Sequence, residues 1–487
     1  MARLGWQGLS VGVLALASAT GAARADVTIS AKPTSNVICA AGVCTPTAAK
    51  AVLNVGELAG LLASGDVSVN TAGALAANIQ ISAALSWTST SRLTLDAYQS
   101  VTVSKPVSVT GTGALTVTTD DGGSGGDLTF EGKGRAVFWD MTSSLVINGQ
   151  SFVLVKTLNA LKAAISADWH GAYALADSDN VKRKVFNKAP IKRFFGTLEG
   201  LGNVVAHFTM SNIRHNPPPL ALIDDNDGTI RDLGLTNINL QGTPSEGLLA
   251  GLVATNGGTV QNCHVTGVIQ DGADSGGLVG FNLGTIRHSH ASVDVTGGES
   301  EAGGLVAANG TQATIETSYA TGAVGGFYAG GLVGVNDGMI DQSFAAGNVS
   351  NVNGAAGGLV GLNESAISNS YATGAISGGD AGGLVGVHQG NAVTSIYSIG
   401  IVSGGTRGGL VGVDESQNFS SAYWDLDASG INDPNQGAGN PASDPGITGL
   451  TTAQFQSGSP IGFDPAIWAE KPGVNGGYPY LKATSPH

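Results

Sequence analysis

Asp224, Asp225, Asp227 and Asp232 place four carboxylates in one short stretch. Two carboxylates held in different environments can divide the acid and base roles of glycoside cleavage. The same run surrounds Gly228, so it also reads as an acidic turn. His264, His288 and His290 supply three imidazoles that could hold zinc or nickel if the fold brings them together. Cys263 would be a nucleophile if its thiol were activated. Gly122-Gly123-Ser124-Gly125-Gly126-Asp127 fits the G-G-x-G-x-D calcium pattern once. Calcium β-rolls complete each site with tandem copies, so a single match reads as a turn. The metalloprotease pattern H-E-x-x-H is absent.

Around these residues the chain is glycine-rich and poor in charge, with 75 glycines among 487 residues and 12% charged side chains. Its 42% hydrophobic content suits a folded chain of short strands and turns. Arg3, the apolar run of residues 9–19 and Ala23-Arg24-Ala25 read as a secretory leader, cleaved before Asp26. Losing Arg3 and Arg24 takes the net charge from −14 to −16. That balance argues against nucleic acid and anionic membrane as partners. Lys182, Arg183, Lys184, Lys188, Lys192 and Arg193 form the one basic cluster and read as a solvated loop. Cys39 and Cys44 flank Gly42 and permit a small disulfide-closed loop in an exported chain. No segment of the mature chain is long and apolar enough for a transmembrane helix.

The elements that would position these residues come from a repeat. Its unit begins G-L-V, with Leu252, Leu278, Leu305, Leu332, Leu359, Leu384 and Leu410 spaced by 26, 27, 27, 27, 25 and 26. Four residues on stand Asn256, Asn282, Asn309, Asn336 and Asn363, then His388 and Asp414. An apolar column follows (Val260, Ile286, Ile315, Ile340, Ile367, Val393, Phe419). Three residues later comes a small column (Cys263, Ser289, Ser318, Ser343, Ser370, Ile396, Ala422). Beside it runs a ring column of His264, His290, Tyr319, Phe344, Tyr371, Tyr397 and Tyr423. Such units bury their apolar stretches by stacking like on like at about 4.8 Å per coil. Glycine recurs where a coil needs positive φ or close backbone approach. The Asn column fits amides bonded along the stack. Side chains three residues apart cannot share one strand face, so a corner must lie between columns, as between Ile315 and Ser318.

The repeat changes the reading of the chemistry. Cys263 falls in a column of serine and alanine and becomes a small packed residue. His264 and His290 fall in the ring column, where stacking accounts for them, and His288 should share a strand face with His290. An eighth, weaker coil aligns Leu222 with Leu252 and Asn226 with Asn256. Upstream, Asn54 and Glu57 have capping-box spacing before Leu58, Leu61 and Leu62, and 157–167 carries one helical stripe. Residues 170–195 read as a loop. Thr451 to Gln454 resembles a helix start within a terminal cap.

The pattern G-G-L-V-G-x-N…I-x-x-S-[YF]-A-T-G, clearest at 358–374, resembles the GLUG motif of filamentous-haemagglutinin-like bacterial surface proteins. The segments Phe195 to Asn203, Tyr423-Trp424-Asp425 and Tyr478-Pro479-Tyr480-Leu481 resemble the lead-in and terminal blocks of such proteins. The resemblance implies a right-handed parallel β-helix, export, and a role in adhesion or surface structure.

The expected fold is therefore all-β, a right-handed parallel β-helix with short helices in the N-terminal half and a C-terminal cap. The expected divisions are a signal peptide at 1–25, a β-rich passenger-like region at 26–156, a connecting helix, loop and lead-in coil at 157–220, the repeat β-helix at 221–423, and a cap and tail at 424–487. The expected function is that of an exported, adhesin-like protein at the cell surface or outside the cell, with the periplasm as another location. It would bind a glycan, cell-surface or matrix ligand, without cofactor or metal, and is not read as an enzyme. A transporter encoded elsewhere would carry it through the outer membrane. The alternatives are a carbohydrate-active β-helix enzyme, a lyase or hydrolase, and a purely structural spacer.

Overall fold

The computed structural model describes residues 25–71, 76–297, 299–351 and 353–484. The leader expected at 1–25 lies almost wholly outside them. The chain forms a parallel β-solenoid of about 16 turns with few short helices. Among the described residues no helix is long and apolar enough to cross a membrane.

The repeats stack in the register that their columns demand. Val253 pairs in turn with Val279, Val306, Val333, Val360, Val385 and Val411 from coil to coil. The seven leucines are all fully buried, each contributing roughly 1.5–3 kcal/mol of apolar burial. The turn between the apolar and small columns is a single residue in the left-handed region. This residue is Asn262, His288, Thr317, Gln342, Asn369, Ser395 or Ser421, with φ of 44–56°. One such residue reverses the side-chain alternation and lets both neighbouring columns point inward.

The paired glycines before each leucine have a different cause. None has positive φ. A Cβ on Gly330 would stand 1.8 Å from the carbonyl oxygen of Val333, and one on Gly331 would stand 2.1 Å from that of Gly358. The first glycine permits the tight turn into its own next strand. The second permits contact with the next coil.

The region before the repeats is also a stack of coils. Ala76–Ile81, Leu85–Trp87 and Arg92–Asp96 make three sides of one coil. Ile79 pairs with Val101, Leu85 with Val107 and Leu93 with Leu115, and the next coil adds Leu128, Ala136 and Leu145. Helix α1 (Val55–Leu62) is capped by Asn54, whose side chain accepts from the amides of Gly56 and Glu57. Cys39 and Cys44 are joined by a disulfide across a two-strand turn. Asn148 and Gly149, both at positive φ, reverse the chain between Ser144–Ile147 and Gln150–Val155. Helix α2 (Leu158–Ala167), capped by Thr157, then buries Leu158, Leu161 and Ile165.

Two expectations are corrected. Residues 170–195 are a coil rather than a loop, with strands Ala172–Leu175, Asp179–Asn180, Val185–Phe186 and Ile191–Phe194 in register with the coil that follows. Tyr173, Leu175, Val181, Ile191 and Phe194 fill its interior, which the outward lysines obscure. The assigned cap at 424–487 divides in two. Ala438–Asn440 and Ile447–Leu450 pair with the preceding strands and complete one more coil. Residues 451–482, with helix α3 (Thr452–Phe455), fold along the side of the stack. There Phe455, Phe463, Trp468 and Tyr478 enclose Phe344, Tyr371, Tyr397 and Tyr423. The ring column points outward from the leucine core, so its buried rungs need a lateral cover.

Candidate functional site

Two polar ladders hold the inward columns. The Nδ2 of each asparagine donates to the Oδ1 of the next, from Asn226 through Asn256, Asn282, Asn309 and Asn336 to Asn363, at 2.7–2.8 Å. Asn363 then donates to Nδ1 of His388, whose Nε2–H donates to Asn418, which assigns the His388 tautomer. In the small column each serine hydroxyl donates to the carbonyl two residues earlier. It accepts the amide of the small-column residue one coil before, as Ser318 accepts from Ser289. These ladders are structural. All members from Asn226 to Asn363 and the four serines are fully buried.

Cys263 sits in the serine ladder, fully buried, and burial pushes its thiol well above the usual range. A thiol held protonated there is no nucleophile. His264 and His290 stack at 5.4 Å and His290 on Tyr319 at 4.6 Å. His288 does not share their face, because it is the exposed left-handed corner residue between Thr285–Arg287 and His290–Gly297. Among the described residues no three potential ligands converge on a metal position. The acidic run is likewise dispersed. Asp224 and Asp225 lie on a strand, Asp227 on the following turn, and Asp232 is the buried corner residue of its coil.

Asp232 belongs to a junction that sequence reasoning missed. The last coil of the first stack lies across the corner ridge of the second. Ala136 N–H donates to the carbonyl of Leu201, and Phe138 N–H to that of Ala176. Asp127, from the glycine-rich segment read as a turn, bonds Arg231 at 2.5 Å and also accepts from Gln261. Arg231 Nε lies 3.1 Å from both Glu199 and Asp232. Three carboxylates thus surround one guanidinium. Burial raises Asp232 to about 6 against the pull of Arg231. Glu199, fully buried beside Asp232, is raised well above the carboxylate range, chiefly by burial. This group fastens the two stacks and is closed to solvent on the Glu199 side.

The surface offers a different arrangement on the coil corrected above. Residues 156–193 carry eight cations (Lys156, Lys162 and the six of the basic cluster) against Asp168, Asp177 and Asp179. From 194 onward there are 24 acids and six cations. Strand Ile191–Phe194 buries Ile191 and Phe194 and exposes Lys192 and Arg193. It begins a ten-stranded sheet, and α2 packs beside it. Where α2 ends, Trp169 stands 46% exposed, with Phe195 stacked beside it at 6.4 Å and His170 on Phe195 at 5.4 Å. Ile165, Ser166, Trp169, Ile191, Lys192 and Arg193 line a cleft of about 360 Å³. Arg193 Nε lies 3.7 Å from Asp225, both partners well exposed. The signal that could have found this site was Trp169 at a helix end, followed by a run of lysines in an otherwise acidic chain. A larger cleft of about 610 Å³ holds Asp337 and Glu364, one coil apart, but no ring.

Comparison with known proteins places the GLUG motif on residues 352–377. No curated protein matches the chain. A crystal structure of a provisionally named immunoglobulin A1 protease from Bacteroides ovatus is similar at 15% identity, covering 68% of this chain and 93% of that one with a TM-score of 0.37.

Proposed function

We propose that this chain is an exported, adhesin-like β-helix protein that binds a cell, glycan or matrix ligand outside the cytoplasm. The leader-like segment at residues 1–25 supports export, and the GLUG motif at 352–377 supports a surface role by family resemblance. The observation that carries the binding reading is the contrast between the two sides of each coil. Inward residues are fixed by ladders and packing. The outward face of one coil gathers an exposed indole and the one dense cluster of exposed cations in an acidic chain. Exposed aromatic and charged groups on a rigid scaffold are the usual material of recognition.

Two measurements test this. Fractionation of producing cells should find the mature chain, beginning at Asp26, in the surface or secreted fraction. Purified chain should adhere to cells or immobilised matrix in a saturable way. Retention in the cytoplasm with an intact N-terminus, or absence of saturable adhesion across cells, glycans and matrix proteins, would overturn the proposal.

A further inference from the structure

We infer that the cleft between the end of α2 and strand Ile191–Phe194 binds an anionic polysaccharide, one whose sugar rings carry carboxylates. This rests on the binding role proposed above and names its ligand class and its site.

The lining supplies what such a polymer needs. Trp169 presents a broad apolar surface at the cleft wall, suited to the CH face of a pyranose ring. Lys192 and Arg193 stand side by side on one strand, exposed, at the same cleft. A guanidinium forks onto a carboxylate with two parallel hydrogen bonds, and the lysine adds a mobile point charge. The present partner of Arg193 is Asp225 at 3.7 Å, with side chains 55% and 37% exposed. A pair so open to water is worth little, so a ligand carboxylate can replace it at small cost. Ser166 adds a hydroxyl at the rim. The volume of about 360 Å³ lies at the lower end of the roughly 300–1,000 Å³ range of small-ligand sites, which fits a short stretch of a long polymer.

Charge decides between polyanions. Lys182, Arg183, Lys184 and Lys188 lie exposed on the outward turns of the same coil and extend the positive field beyond the cleft. The coils that follow are strongly acidic. Double-stranded DNA carries a charge about every 1.7 Å and would be repelled by the acidic stack more strongly than a carboxylated glycan, whose single chain carries one charge per sugar ring and can lay a ring on Trp169.

The test uses the mature chain with polygalacturonate and alginate as carboxylated polymers. Methyl-esterified polygalacturonate has the same backbone without the charge. Dextran and double-stranded DNA complete the set. Expected results are saturable binding of the first two, loss with the methyl ester and dextran, and no binding of DNA at physiological salt. Trp169→Ala and the pair Lys192→Gln/Arg193→Gln should each weaken binding about tenfold or more. Trp139→Ala, which removes an indole 63% exposed outside this cleft, should not. Circular dichroism of each variant confirms that the solenoid is intact. Failure of both polyuronates to bind, equal binding of the esterified polymer or DNA, or unchanged binding by the cleft variants would overturn the inference. The same variants in the adhesion assay separate the two proposals. Adhesion that survives them refutes this site while leaving the adhesin reading standing. Absence of adhesion by the unmodified chain refutes the broader reading.

Discussion

Asn309→Ala is the sharpest test of how the repeat body holds together. Asn309 is fully buried. Its Oδ1 accepts from Asn282 at 2.8 Å and its Nδ2 donates to Asn336 at 2.8 Å. Truncation removes both bonds. It leaves Asn336 Oδ1 without its ladder donor and Asn282 with only the longer contacts to the carbonyls of Gly284 and Thr314, at 3.3 and 3.4 Å. A buried polar group stripped of its partner costs about 1–3 kcal/mol, so two disturbed neighbours and a small void give about 2–5 kcal/mol. Asn309→Asp should cost more at neutral pH. The carboxylate faces the Oδ1 of Asn336, which it cannot donate to, in a site without solvent. Its folded pKa would be raised, so part of the loss should return as pH falls.

The loss should also be local, because each coil contacts chiefly its neighbours. Hydrogen exchange should quicken in the coils holding Asn282, Asn309 and Asn336 while the N-terminal stack keeps its protection. Urea denaturation measures the total, with Thr311→Ala, exposed on the same coil, as the neutral comparison. A change below about 0.5 kcal/mol for Asn309→Ala, with exchange unaltered, would show that the ladder adds nothing beyond leucine packing.

Further outcomes follow from the same architecture. The carboxylates of Asp232 and Glu199 are raised on folding, so the stability from their protonation is fully present below the unfolded value near 3.8 to 4.5 and is lost as pH rises through about 6 and above. The melting temperature should therefore rise from pH 8 to pH 5, and Glu199→Gln with Asp232→Asn should flatten that slope. Arg231→Leu leaves three carboxylates unbalanced and should cost about 3–5 kcal/mol at pH 7.5 by denaturant titration, less at pH 5. Gly331→Ala should fail to give soluble protein or lose several kcal/mol, since its Cβ would press on the Gly358 carbonyl, whereas Gly60→Ala in α1, with open space around the new methyl, should stabilise by about 0.5–1 kcal/mol in a thermal melt. Cys263 should resist thiol reagents in the native chain by mass spectrometry, and Cys263→Ser should bind and melt within about 1.5 kcal/mol of the original, serine being the residue of that column.

The columns of the repeat are legible in the amino-acid sequence because each stacked position answers to the same position one coil away. Asparagine must meet asparagine, and ring must meet ring, so the constraint recurs at the coil length. Even the corner at Thr317 follows, since two inward residues three apart leave no other way to turn. The coil at 170–195 obeys the same geometry but has no amide or serine ladder. Its interior residues, among them Tyr173, Leu175, Ile191 and Phe194, only need to be apolar, and apolar residues at irregular intervals leave no period. The outward lysines then dominate its composition and mimic a loop. The junction is hidden for another reason. Asp127 and Arg231 are 104 residues apart, and nothing local marks either as a partner. Asp127 resembles part of a calcium turn and Asp232 part of an acidic run, because a lone buried ion group follows no repeat. Sequence periodicity thus reports the positions where coils constrain one another, the inward columns and the stacked rings. The rest of the outward face, where a ligand would be met, is free of that constraint, and only its departures in charge and aromaticity, such as Trp169 among lysines, make it visible.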